Sequence, residues 1–424
     1  MMPRRQTSSS SRRHIAEVSK ADFVGGGASA IATLLASGLR MEGNPVLHYC
    51  LYAGGGFDYW RRPIGGHSSR LFMDENLSLK ANESLADVIP LEAGFFQNEL
   101  ERFPIELFHF HDLTSAISPL TLDRLSQQVP VIWTLHDFSP FTGGCIYPMG
   151  CERWLTEPAC MSCPQHGQWP LDTAVDTAWI NRNIKKHIHK NKKIHLVSPS
   201  QWLADQFKRS GILEKNITII PNGIDGSPFS GIDKISARKK IGVSENEFVA
   251  CFSSGNLADP RKNIIHSIEA IKNINVKRKK IIVLGHRDKN ISNLFEGLDV
   301  ISPGFIYDRR VLAEYLKASD IFLFTSLAEN HPLSTLEAMA AGTCVVGYAT
   351  GGVQEQLTHG VNALLVAPDD REGLLAMTGQ LGSREPLLNF GLNARHKYEQ
   401  EFTLSMMVER YLSFFDRVCS GAEG

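Results

Sequence analysis

SDIFLFTSLAENHPLSTLEAMAAGTCVV, residues 319–346, is the stretch whose reading decides the fold. DIFLFTS (320–326) is a short apolar run of the kind that forms a buried strand. TCVVGYAT (343–350) is a second, overlapping the end of the stretch. Between them, residues 334–341 are small and apolar and close on Gly342, which predicts a helix. Strand, loop, helix and strand in succession is the repeating unit of a parallel sheet.

The same unit recurs outward in both directions. HIAEV (14–18), PVLHYCLY (45–52), ELFHFH (106–111), PVIWTLH (130–136), KIHLVSPS (193–200) and ITIIPNG (217–223) are apolar runs in the first half. FVACFSSG (248–255) and KIIVLGH (280–286) join the two already quoted in the second. Each is rich in Val, Ile and Phe, as strands covered on both faces are. Helical spacing separates many of them, at 29–39, 201–208, 264–272 and 310–318. Two series of strands predict two doubly wound sheets, with the break in GSPFSGID (226–233). The expected organisation is a first domain over 14–230, a second over 231–395, and closing helices over 396–424 that return to the first.

Composition excludes several classes. The chain has 424 residues, 43% apolar and 21% charged, with a net charge of -1. Such a balance gives no electrostatic footprint for nucleic acid, and no apolar run reaches the length of a membrane span. MMPRRQTSSSSRRH (1–14) is basic and serine-rich without an apolar core, so it reads as a disordered tail rather than a secretory signal. Eight cysteines without a signal point to reduced thiols or metal ligands in a cytoplasmic protein.

Nearly every strand ends in Gly, Ser, His or Asn, and ligands of open α/β sheets bind beyond the carboxyl ends of strands. Gly25, Gly26 and Gly27 follow the first strand and precede a helix. Backbone N–H groups there, with the helix dipole, suit an anion. Arg261 and Lys262 follow the first strand of the second series and suit a diphosphate, though a solvated loop pair would look the same. Ser334-x-x-Glu337 has the form of a capping box, which accounts for Glu337. It leaves Glu329 unexplained. A carboxylate beside the N–H groups near Leu333 and Ser334, themselves placed to bind phosphate oxygens, is suited to gripping hydroxyls such as those of a sugar.

Together these pieces resemble the retaining GT-B glycosyltransferases of family 4. The motifs that carry the resemblance are GGGAS (25–29), WTLHD (133–137), SPSQW (198–202), IIPNGID (219–225), PRKN (260–263), the stretch 319–346 with its E-x7-E element, and GGVQEQL (351–357). WTLHDFSPFTGGC is similar to the branch that builds exopolysaccharides of the colanic acid type. The resemblance implies two Rossmann-like domains facing across a cleft that closes over a nucleotide-diphospho-sugar donor. It implies that Glu329 binds donor-sugar hydroxyls, Glu337 the ribose, Lys262 the diphosphate, and that His136 lies near the sugar and its β-phosphate. The family's arginine after the strand glycine is Asn256 here, and Arg261 is the candidate replacement. No metal is needed for transfer, because protein cations stabilise the leaving diphosphate. The acceptor implied is a hydroxyl of a saccharide, such as a growing lipid-linked polysaccharide. A nucleotide-sugar epimerase of the same fold and a non-catalytic sugar-nucleotide-binding protein are the competing readings.

Two further stretches stand apart. In WINRNIKKHIHKNKK (179–193), Ile180, Ile184 and Ile188 recur every four residues beside a basic run. Such a helix would touch an anionic membrane from the cytoplasmic side, or pack on its own sheet. In CIYPMGCERWLTEPACMSC, Cys145, Cys151, Cys160 and Cys163 follow the pattern C-x5-C-x8-C-x2-C. They read as ligands of a structural zinc, with His166 as a substitute ligand, or as disulfides or free thiols.

Overall fold

The computed structural model of the protein describes residues 12–65, 90–114, 116–212, 216–286 and 294–422. The tail expected at the N-terminus lies outside them up to residue 11. The chain forms two compact units. One takes the chain through Ile220 and again from Met407; the other is Pro221–Met406.

The first unit holds a seven-stranded sheet. Its strands are β1 Ile15–Ala21, β2 Val46–Tyr52, β3 Arg61–Pro63, β4 Leu107–Phe110, β5 Val131–Thr134, β6 Ile194–Ser198 and β7 Ile217–Ile219, in the order β3-β2-β1-β4-β5-β6-β7. Every ladder is parallel; Ile15 pairs with Val46 on one side and Leu107 on the other. The second unit holds a six-stranded sheet of β8 Phe248–Asn256, β9 Lys279–His286, β10 Asp299–Gly304, β11 Ile321–Phe324, β12 Cys344–Tyr348 and β13 Ala363–Val366, ordered β10-β9-β8-β11-β12-β13. It too is parallel throughout. Both are doubly wound, and the chain changes direction across the sheet beside β1 and beside β8. Loops after β1, β4, β8 and β11 therefore flank the two switch points, where such sheets bind ligands. The motifs GGGAS and PRKN, and the turn ENHP, sit on these loops.

Central strands are buried on both faces, as their unbroken apolar runs require. Phe96, Phe108, Phe110 and Trp133 pack the first core, and Phe252, Ile271, Leu323 and Val346 the second. Charge is admitted where it is paired. Buried Asp320, at the foot of β11, accepts from Val249 N (2.7 Å) and pairs with Lys234 (2.7 Å) and Arg238 (2.8 Å), tying the helix Lys234–Lys240 to the sheet.

Two expectations change. The units divide at Ile220/Pro221 rather than near 230. Ile224 explains this by exchanging backbone hydrogen bonds with Phe402 and Leu404 (3.1 and 2.8 Å), which ties the stretch after β7 to the second unit. The basic stretch at 179–193 forms the helix Ala178–Ile188, but its apolar face is not free. Ile188 is buried and Ile184 packs on the core. Arg182 and Lys185, two of the expected surface cations, are buried and donate to the carbonyls of Ser210 (2.7 Å) and Ser139 (2.7 Å). The helix packs on its own sheet. Among the described residues no helix is long and apolar enough to cross a membrane.

Candidate active site

In the second unit, β8 runs out through Asn256 into a short 3-10 turn, Pro260–Lys262. Asp259 caps that turn, accepting from Arg261 N (3.0 Å), and holds the Arg261 guanidinium through both oxygens (3.0 and 2.6 Å). The turn is stitched to the end of β11. Thr325 Oγ1 donates to the carbonyl of Asn263 (3.0 Å), and Leu327 N donates to that of Arg261 (2.8 Å). This stitching brings Lys262 against Glu329, and the two side chains form an ion pair. Both are partly accessible, at 27% and 14%.

The helix after Glu329 runs Leu333–Ala341, and Pro332 occupies its N-cap position without any side-chain cap. The capping box expected from Ser334 and Glu337 does not form. The helix starts at Leu333, so Ser334 lies inside the first turn and Glu337 is too far along to reach back. The first N–H groups of the helix are left for another acceptor. Glu337 instead pairs with Arg309, at the start of the helix Arg309–Ala318. Burial raises the pKa of Glu337, while Arg309 pulls it down. Gly342 ends the helix in the left-handed region (φ 72°), which a side chain would strain.

Buried Gln356, from GGVQEQL, fixes the turn from behind. Its carboxamide nitrogen bonds the His331 ring (2.9 Å) and the Pro332 carbonyl (3.1 Å), and its oxygen accepts from Thr335. Asn222, from IIPNGID, donates to the His331 carbonyl (2.9 Å). Three separated motifs thus converge on one turn. At the ends of β9 and β10, His286 stacks on Phe305 (5.1 Å, 7°), which meets exposed Tyr307 (4.7 Å).

In the first unit, Gly26 (φ 97°) precedes the helix Gly27–Met41, whose N-terminus also lacks a side-chain cap. Open space surrounds the positions of a Cβ at Gly26 and Gly27. His136 follows β5 and is half-buried. Its Nε2 lies 3.0 Å from His111 Nδ1. His111 Nε2 lies 2.9 Å from Glu17 Oε2, and His109 Nδ1 3.1 Å from Glu17 Oε1. His109 Nε2 meets Thr134 Oγ1 (2.7 Å), which meets Tyr411 OH (2.9 Å). Burial lowers the pKa of His109 to about 3, and burial with the nearby His109 does the same to His136. Burial also takes His111 well below its ordinary value and raises Glu17. The rings are neutral. With Glu17 ionised, both inner histidines donate to it. His111 Nδ1 then accepts from His136, which must carry its proton on Nε2.

Sequence reasoning missed Glu17, His109, His111, Arg309 and Gln356. A signal existed for the first three: an acid within a buried strand, and two histidines at period two in HFH, on one face of the neighbouring strand. Lys262 and Glu329 are brought together in the second unit, Leu333 and Ser334 open the helix after Glu329, and Arg261 is held by Asp259. His136, Gly26 and Gly27 belong to the first.

Comparison with known proteins covers both units. A model of glycosyltransferase family 4 matches residues 25–227, and one of glycosyl transferases group 1 matches 249–383. WcaC of Escherichia coli (strain K12), named for colanic acid biosynthesis, is 26% identical over 328 residues, 74% of this chain and 76% of its own. Among solved structures, sucrose-phosphate synthase from Thermosynechococcus elongatus superposes with a TM-score of 0.69 at 17% identity. That match covers 97% of this chain and 100% of the other. Anabaena HepE, solved with UDP and glucose, gives 0.65 at 19% identity over 96% and 100%. With the two models matched in order along most of its length, and with this fold, the chain belongs to the family 4 glycosyltransferases of the GT-B type.

Proposed function

We propose that this glycosyltransferase moves a sugar from a nucleotide-diphospho-sugar to a hydroxyl of a saccharide, with retention of anomeric configuration, during polysaccharide assembly. One observation carries the reading. Lys262 and Glu329 meet at the carboxyl edge of the second sheet, beside a helix start that no side chain caps. A cation and free N–H groups suit a diphosphate; a carboxylate next to them suits sugar hydroxyls.

On this reading the donor diphosphate takes Lys262 from Glu329 and lies against the N–H groups of Leu333 and Ser334, with Arg261 adding charge. Glu329, released, accepts from hydroxyls of the donor sugar. Glu337, steadied by Arg309, accepts from the ribose. The exposed rings of Phe305 and Tyr307 offer a face to the base. As the bond to the diphosphate breaks, charge grows on the leaving oxygens, where Lys262 and the helix N–H groups act most strongly. His136 is assigned to the sugar and its β-phosphate, as its neutral ring suits a site that must not add a charge. In the same proposal Gly26 and Gly27 allow close backbone approach. Protein cations supply what a divalent metal would, so transfer proceeds without one.

The polysaccharide reading is supported by the likeness to WcaC and by the WTLHDFSPFTGGC stretch. A lipid-linked acceptor is part of it, and would bring the enzyme to an anionic membrane surface through exposed Lys190, Lys192 and Lys193 rather than through an apolar helix face. Incubation with a panel of nucleotide-sugars, with and without saccharide acceptors, tests the reading. Transfer or slow donor hydrolysis is expected. An epimerised donor, or binding without turnover for every donor, would replace it with one of the competing functions.

A further inference from the structure

We infer that Cys145, Cys151, Cys160 and Cys163 bind one structural zinc ion as a tetrathiolate, a site apart from the transfer chemistry. The four side chains line one small cavity, together with Trp154 and Leu171. Its free space holds about one water-sized body (about 10 Å³), which suits a single ion and not a cluster. None of the four is in a disulfide, although the pattern leaves only two residues between the last two. Nineteen residues of sequence supply all four thiols to that one cavity.

One of the four sulfurs already has a backbone donor. Gly143 N donates to Cys160 Sγ (3.2 Å), and His166 N donates to the Cys163 carbonyl (3.1 Å), closing the turn that carries that thiol. The Gly143 N–H aimed at the Cys160 sulfur stabilises negative charge there, as outer-shell partners of metal ligands do. His166 is not a ligand. Its ring is exposed and bonds the Thr173 carbonyl (2.9 Å), so the four thiols form the whole set. No three of the sulfurs lie within 4.8 Å of one another, so the ion draws them inward from this arrangement.

An ion also accounts for order that the segment does not supply itself. Between the 3-10 turn Ser139–Phe141 and the helix at Ala178 there is no strand or helix, a length that loops rarely reach in a compact domain without another constraint. Met149, Cys160 and Ser162 hold positive φ (48°, 61° and 51°), three of the five such non-glycine residues described. Strain of this kind persists where the surroundings fix it. The segment in turn supports the loop after His136. Phe138 N donates to the Ile146 carbonyl (3.0 Å), and the Phe138 ring packs on Tyr147 and Trp154.

Elemental analysis of the full chain, purified without chelator or affinity metal, tests the inference independently of the transferase reading. About one zinc per chain is expected, released as a mercurial titrates the thiols. Cobalt substitution should give the intense visible bands of a tetrahedral tetrathiolate. Cys160→Ser and Cys163→Ser should lose the metal and melt lower than the parent. Should either variant fail to fold, the zinc count and cobalt spectrum of the parent chain decide. Metal-free protein whose four thiols react as readily as Cys419, disulfides among them, or an iron–sulfur chromophore would each overturn the site.

Discussion

Glu329 has no part in a helix cap and none in the core; its one polar partner among the described contacts is Lys262. Its neighbour in the motif, Glu337, is buried against Arg309. The two acids of the E-x7-E element therefore differ in what they lose on substitution. Glu329→Gln keeps the shape and removes the charge proposed to bind sugar hydroxyls. Transfer should fall about tenfold or more, in line with the loss of a charge-assisted hydrogen bond, while the melting temperature stays near the parent's. Steady-state kinetics alongside a melt checks this, and near-normal turnover would remove Glu329 from the site. Glu17 is a different kind of residue. It lies two hydrogen bonds behind His136 and acts through His111 as a positioning group. Glu17→Gln puts an amide where two ring N–H groups need acceptors, and so turns one imidazole round. The expected result is a loss of about tenfold in kcat with little change in KM, and Glu17→Asp should recover part of it. Equal losses in stability and in both constants would make Glu17 a core residue and nothing more.

Ten of the thirteen described strands were legible from their apolar runs, and several of the helices between them from their spacing; β3, β10 and β13 were not read. What the sequence could not reveal was which partner each polar residue would choose. Ser334-x-x-Glu337 has every mark of a capping box, yet the helix begins at Leu333 with Pro332 at the N-cap position, and Arg309, far upstream, takes the carboxylate. The isoleucines of 179–193 marked an amphipathic helix correctly, but periodicity does not say whether the apolar face meets lipid or a neighbouring strand. Here Arg182 and Lys185 go inward too, because carbonyls at Ser210 and Ser139 receive them. Buried His48 on β2, whose Nε2 meets Ser19 Oγ (2.8 Å), and buried His109 on β4 carry their own prediction. His48 and His109 are pulled by burial from 6.5 down to about 4 and about 3. A histidine whose folded pKa is depressed contributes stability that is present above its unfolded value and lost as pH falls towards the folded one. Stability should therefore drop from about pH 6.5 to pH 4, by on the order of 3 kcal/mol for each of these two. Glu92, pushed up to about 7 by burial, works the other way over part of that window, and His111 adds to the loss. Denaturant midpoints measured from pH 7.5 to 4.5 should fall, and His109→Gln should flatten the curve. Midpoints that hold steady or rise towards pH 4.5 would contradict these neutral, buried histidines.

At the scale of the molecule, the six strands of the second sheet follow the order of the first six of the seven-stranded sheet, and the motif-bearing loops lie at equivalent places in the two. GGGAS follows β1, and His111 and Asp112 follow β4; PRKN and ENHP follow β8 and β11. That placement was readable because parallel sheets put their useful ends on one side, and because each motif sat just beyond an apolar run. The limits of the units were not readable in the same way. The Gly/Ser/Pro stretch at 226–233 looks like a linker, but Ile224 and Phe402 tie it to the second unit, while Tyr411 and Phe415 lie against His109 in the first. The central claim is that the Lys262–Glu329 site of the second unit uses a nucleotide-diphospho-sugar and retains its configuration. Proton NMR of the anomeric centre during early turnover, with the donor found in the panel and its acceptor, addresses that claim directly. The account predicts a product with the donor's own anomeric configuration, formed by the parent chain and lost in Lys262→Ala. A product of opposite configuration, or transfer undiminished in Lys262→Ala, would contradict it.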